Sequence, residues 1–203
     1  MAGTTVRLQA IADVPGVPRS GLGQDLGALA LITLGRAEFW AGQIDYVERH
    51  LERGVALARR VGRPYLEFTG LADQAAIEIA RSFPRAVEGG IQAVELARRH
   101  GWSDDPAARM ASAVVESVLV WQGRLEEAEP WVQRAERGLR AEAEPAGGRV
   151  IRTIRGLLEL ARSRDADALA AFQAADRLAG RLAEPGFTVL PNRSLLVQTL
   201  VRR

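Results

Sequence analysis

Val47, Val87, Ala128 and Ala168 stand 40, 41 and 40 positions apart, and two more sets keep those steps: Leu51, Ile91, Val132 and Phe172, then Gly54, Val94, Ala135 and Ala175. Within each copy the three positions fall at i, i+4 and i+7, which is one face of a helix. Breakers share the period. Pro64, Pro106, Pro145 and Pro185, each close to a Gly, sit where one helix pair should stop and the next begin. An internal period of about forty residues marks a chain whose units bury their apolar faces only against neighbours. The recurrence therefore predicts an all-α chain, a solenoid of antiparallel helix pairs.

The clearest copy runs from Trp121 to Gly138. Gly123 can take the left-handed conformation that ends a helix, because it has no Cβ to clash. Glu126 and Glu127 then fall in the first turn of the next helix, where carboxylates favour the positive end of the macrodipole. Pro130 lies about six residues into that helix, where a backbone donor is normally needed, so a kink or a late helix start is expected.

The boundaries that follow are a short helix and loop over 1–23, then a repeat domain over 24–203. Its units span about 24–62, 64–101, 104–143 and 148–184, with a partial one over 186–203. Turns are expected at Gly42-Gln43, Ser82-Phe83, Gly123 and Ser163-Arg164. Leu195, Leu196, Val197, Leu200 and Val201 give the last helix an uncovered apolar face, where a solenoid normally ends in a polar cap. That helix could pair two copies of the chain.

Composition narrows the function classes. The chain has no Cys, which removes disulfides, thiol catalysis and Cys-ligated metals. The sequence pI of 9.8 looks basic although the formal charge is only +2. All 27 basic residues are Arg, so few side chains titrate between neutrality and high pH and a small excess persists far up the scale. The pI is therefore no argument for a nucleic-acid surface. No apolar run approaches the ~20 residues needed to span a bilayer, and the N-terminus lacks a signal-peptide pattern. A cytoplasmic protein without membrane contact is expected.

Leu34-Gly35-Arg36-Ala37-Glu38-Phe39-Trp40-Ala41-Gly42-Gln43 resembles the tetratricopeptide core, at a longer period than the usual ~34 residues. Together with the Trp121 to Trp131 stretch, Ala141 to Pro145 and Arg155 to Arg162, it is similar to the MalT-like repeat region of large ATP-dependent LuxR-family transcriptional regulators. The similarity covers roughly residues 20–203. It implies a right-handed superhelix, and a sensor segment that receives a protein partner, neighbouring domains of the same regulator, or a small-molecule inducer. With no Lys a phosphate-binding loop of the Gly-x-x-x-x-Gly-Lys type is impossible in this segment. The resemblance implies no direct nucleic-acid contact from it, no cofactor and no enzymatic activity. A free-standing peptide-binding adaptor of tetratricopeptide type is the alternative.

First helices line the concave face in such repeats, which places Arg36, Phe39, Trp40, Met110, Ser117, Val120, Trp121 and Thr153 there as candidate binding residues. Aromatic plus Arg is the composition of a binding hot spot. Packing at the hairpin turn is the competing role for Trp40 and Trp121, 81 residues apart at equivalent positions. Glu38, Glu78 and Glu159 recur in register and are expected to pair with Arg. His50 and His100 have no Ser, Asp or metal-ligand set at fixed spacing, so no catalytic or metal site is assigned.

Overall fold

The computed structural model describes residues 21–182 together with Leu195 and Thr199. Among the described residues the chain is all-helical, with no strand. Eight helices follow one another: α1 (Gly21–Trp40), α2 (Ile44–Arg60), α3 (Pro64–Glu78), α4 (Phe83–His100), α5 (Pro106–Trp121), α6 (Leu125–Glu136), α7 (Pro145–Ala161) and α8 (Asp165–Ala179). None of them is long and apolar enough to cross a membrane.

Helices pack in the order in which the chain makes them. Each odd-numbered helix turns back on the next, as α1/α2, α3/α4, α5/α6 and α7/α8. The second helix of a pair also touches the first helix of the following pair, and the first helices touch in succession, α1/α3, α3/α5 and α5/α7. A continuous row of first helices results. Its most buried member is α5, where every residue from Ala111 to Val120 is buried.

Local sequence explains the ends. Gly42 and Gly123 take φ of 74° and 73°, which closes the turns after α1 and α5. Ser163 does the same work after α7 at φ 59°, unusual for a residue with a Cβ. Pro64, Pro106 and Pro145 open α3, α5 and α7, where the missing N–H would have had no helical acceptor. Asp105 caps α5 by accepting from Ala107 N at 2.8 Å.

Several expected ends move. α1 starts at Gly21, inside the expected loop, and α7 starts at Pro145 rather than Gly148. α3 stops at Glu78, after which Ala80 and Arg81 bond back three residues to Ile77 O and Glu78 O. Pro130 produces no late start, since α6 begins at Leu125 and runs through it. The carbonyl left without a helical donor belongs to Glu126, an exposed residue that water can reach. The last expected helix, 192–203 within the partial unit 186–203, and with it the expected homodimer face, falls outside the described residues except Leu195 and Thr199. There Thr199 Oγ1 donates to Leu195 O at 2.8 Å.

One register needs correction. In α2, α6 and α8 the repeat positions are buried, with Val47, Leu51, Val132 and Phe172 at 0% exposure. In α4 the expected Ile91 is 44% exposed, and the buried face is Ala86, Gly90, Ala93 and Ala97. The helix is rotated by one residue because Gly90 and Ala93, rather than Ile91, meet α5 at closest approach, with Leu96 buried beside them. A Cβ on Gly90 would lie 2.7 Å from Val115 Cγ2 and 3.1 Å from Ala111 O.

Candidate binding groove

The row of first helices leaves a cavity of about 450 Å³ to which all four contribute. α1 supplies Arg36 and Phe39, and α3 supplies Tyr65, Thr69, Ala72, Asp73 and Ala76. The next two first helices complete it, α5 through its cap Asp105 with Pro106, Ala107, Arg109 and Met110, and α7 through Pro145, Ala146, Gly147 and Ile151 with Glu144 just before it. Helices one pair apart therefore put residues some 35 positions apart on one surface. The floor is largely apolar, and the polar groups stand in three pairs.

Arg36 Nε donates to Asp73 Oδ2 at 2.8 Å. Arg109, 3% exposed, gives Nη2 to both oxygens of Glu144, at 2.7 and 2.6 Å, and Nη1 to the Asp104 carbonyl. Its buried Nε has no partner. Tyr65 donates its hydroxyl to Asp105 Oδ2 at 2.9 Å. Burial pushes the Asp73 carboxyl up to about 6, outweighing the charge and hydrogen bond of Arg36 that favour ionisation. Burial, then the hydrogen bond to Asp105, raises the Tyr65 phenol. A largely apolar cavity with few convergent polar groups and a displaced carboxyl has the form of a binding site.

Of the residues named from sequence, the structure brings Arg36, Phe39 and Met110 to this cavity. Ser117, Val120 and Thr153 lie on first helices but are buried at 2%, 7% and 3% exposure. Ser117 donates to Val114 O at 2.8 Å and Thr153 to Arg149 O at 2.9 Å, the usual way for a buried helix hydroxyl to satisfy itself. Val120 packs with Leu119, Val132 and Leu158. Trp121 is 44% exposed at the end of α5, its ring 5.5 Å from that of Phe83. The side chain of Trp40 lies outside those described.

Sequence reasoning missed Tyr65, Asp73, Arg109 and Glu144. Asp73 carried one signal, a lone charge in the small and apolar run Leu71-Ala72-Asp73-Gln74-Ala75-Ala76-Ile77. The expected Glu–Arg pairing holds for Glu159 with Arg155 and Arg164, both at 3.2 Å, and at 4.0 Å for Glu78 with Arg85. Glu38 departs from it: its partner is His50 Nδ1, at 2.8 Å, both groups being buried. His50 reaches it from the first half of α2, a pairing across the hairpin that spacing alone did not reveal. His100 stacks on Trp102 with ring centroids 4.6 Å apart.

No protein-family model matches the chain. No curated protein matches it in sequence either. Among solved structures it is similar to BtubC (BKLC) from P. vanneervenii, with a TM-score of 0.66 at 13% identity over 98% of this chain and 77% of that one. At that identity the likeness is one of fold alone.

Proposed function

We propose that this chain is a non-catalytic binding module, a right-handed solenoid of helix pairs that takes a partner or inducer between its first helices. In this reading it is the sensor and interaction segment of a LuxR-type, MalT-like transcriptional regulator. What supports it most is the groove of about 450 Å³, to which four successive first helices each contribute. A groove assembled from every unit responds to the stacking of the units, so a ligand there can report on the whole array.

Two experiments test the reading. Ala107→Trp fills the groove at the start of α5, and it should abolish ligand-induced thermal stabilisation in an inducer screen while the helical spectrum is unchanged. Equal stabilisation of both proteins by every hit would remove the groove from the function. Reading the coding sequence on both sides of residues 1–203 tests the regulator assignment. A nucleotide-binding switch module before it and a helix-turn-helix after it are expected, and their absence would leave the adaptor.

A further inference from the structure

The polar pairs that line the groove are not equally saturated. Both carboxylate oxygens of Glu144 are taken by Arg109, and Asp105 gives one oxygen to Ala107 N and the other to Tyr65. Arg36 and Asp73 meet through a single bond, Nε to Oδ2, and neither makes another hydrogen bond among the described residues. The terminal nitrogens of Arg36 and Oδ1 of Asp73 are therefore left for a ligand. Both side chains are open to the cavity, at 42% and 21% exposure. The walls around them are apolar, with Phe39, Ala72, Ala76, Met110 and Ile151.

Such a site offers a ligand one set of donors, one acceptor beside them, and otherwise apolar surface. A carboxylate at Arg36 would face the Asp73 carboxylate, and an ammonium at Asp73 would face the Arg36 guanidinium. A ligand rich in hydroxyls would press most of them against apolar walls, and each one buried without a partner costs binding. An open-chain secondary amide is trans, so its carbonyl and N–H point to opposite sides and cannot reach both groups. A small ring locks the amide cis and turns the acceptor and the donor to one edge. We propose that the groove binds an uncharged lactam, whose carbonyl accepts from the Arg36 terminal nitrogens and whose N–H donates to Asp73 Oδ1. This rests on the groove reading above and names its ligand class. The apolar remainder of the ring system lies against Phe39 and Met110, in a cavity within the range of about 300–1,000 Å³ for small-ligand sites.

Asp73 supplies a readout that packing alone would not move. Burial pushes its carboxyl up to about 6, and a donated N–H favours the ionised form. The other charged and titratable groups of the cavity are Arg36 of α1, Tyr65 of α3, Arg109 of α5, and Asp105 and Glu144 just before α5 and α7. The last four are paired with one another, so Arg36 alone faces Asp73 with a charge not held elsewhere. Lactam binding should pull the Asp73 midpoint down, and affinity should rise with pH as the acceptor ionises.

The probe is carbostyril, a planar bicyclic lactam, followed by NMR on the isotopically labelled full chain. N-methylcarbostyril, which lacks the donor, and acetanilide, a trans amide of similar size, serve as controls. Carbostyril should move the Met110 methyl and Asp73 carboxyl signals, lower the Asp73 midpoint, and bind up to about tenfold tighter at pH 7 than at pH 5. Each control should bind about tenfold more weakly than carbostyril at pH 7. Asp73→Asn should lose the pH dependence, and Arg36→Met should weaken carbostyril by about tenfold with the helical spectrum unchanged.

Carbostyril that moves Met110 but leaves the Asp73 midpoint in place would overturn the edge contact while leaving the groove as a site. Equal or tighter binding of either control would do the same. If carbostyril moves neither signal, the lactam class is overturned, and the groove reading then stands or falls on the Ala107→Trp comparison alone.

Discussion

Where α4 meets α5 the contact between helix pairs is closely packed and free of charge; where α6 meets α7 it is a lattice of ions. The first seam sets Ala86, Gly90 and Ala93, all buried, against Ala111, Val114 and Val115. In the second, Arg155 reaches Glu136 at 2.6 Å, Glu159 at 3.2 Å and Glu129 at 3.4 Å. Arg152 holds Glu136 at 2.9 Å, and Arg162 holds Glu129 and donates to the Leu125 carbonyl at 3.2 Å. Burial lowers the Arg155 guanidinium pKa, yet the bonds and charges of Glu136, Glu129 and Glu159 outweigh it and hold it above the usual arginine value. Burial likewise raises Glu129, and Arg162 and Arg155 outweigh it downward. Shape specifies the first seam and valence the second, so only the second should answer to pH and salt.

The largest effect should come from Arg155→Met. It takes the shared partner from Glu129, Glu136 and Glu159 and leaves each with its second arginine, Arg162, Arg152 and Arg164, and breaking a buried ion network costs about 3–5 kcal/mol. Partial exposure of the acids puts the expectation near the lower figure. Urea unfolding at pH 7 measures it, and part of the loss should return as the pH falls toward 4.5 and Glu129, whose pKa Arg155 helps to lower, protonates. A loss below about 1 kcal/mol would class the lattice with ordinary surface pairs. Gly90→Val should follow, at about 2 kcal/mol, since the stiff Val115 and the Ala111 carbonyl stand too close for the added atoms. Its cost should be the same at pH 5 and pH 8. A pH-dependent loss would erase the distinction between the seams.

These seams also show which parts of the molecule the sequence carried. Helices and their turns were legible because Gly42, Gly123 and the opening prolines act through their own backbone. The register of α4 was not, because the pattern favoured Ile91 while close approach selected Gly90, and approach distance belongs to two helices. The groove was half legible: Arg36, Phe39 and Met110 were in view, while Asp73 and Glu144 enter through partners 37 and 35 residues away. Ser117, Val120 and Thr153 looked equivalent to them by position, but the row of first helices is thick enough to bury them.

Glu116 connects the two seams and carries the smallest of the expected effects. The steps of 40, 41 and 40 put it where the other first helices have Gly35, Ala75 and Gly156. At two of those positions a Cβ would meet the partner helix, 2.7 Å from Leu51 and 2.4 Å from Phe172, so the site is made for a small residue. A carboxyl stands there instead, with 0% exposure and neither oxygen partnered. Burial raises its pKa well above the usual value; Arg155 opposes this, and Glu136 and Glu129 add to it. A carboxyl whose folded pKa is raised favours the fold below its unfolded pKa, near 4.5, and loses that contribution as pH climbs through the folded value. Glu116→Met keeps the volume and removes the ionisation, so it should stabilise the chain by about 1 kcal/mol at pH 8 and by less at pH 4.5. Chemical unfolding at the two pH values reads the difference. A destabilisation that is equal at both would mean that the carboxyl is held by contacts as good as those of Arg155, and the charged seam would then extend inward to α5.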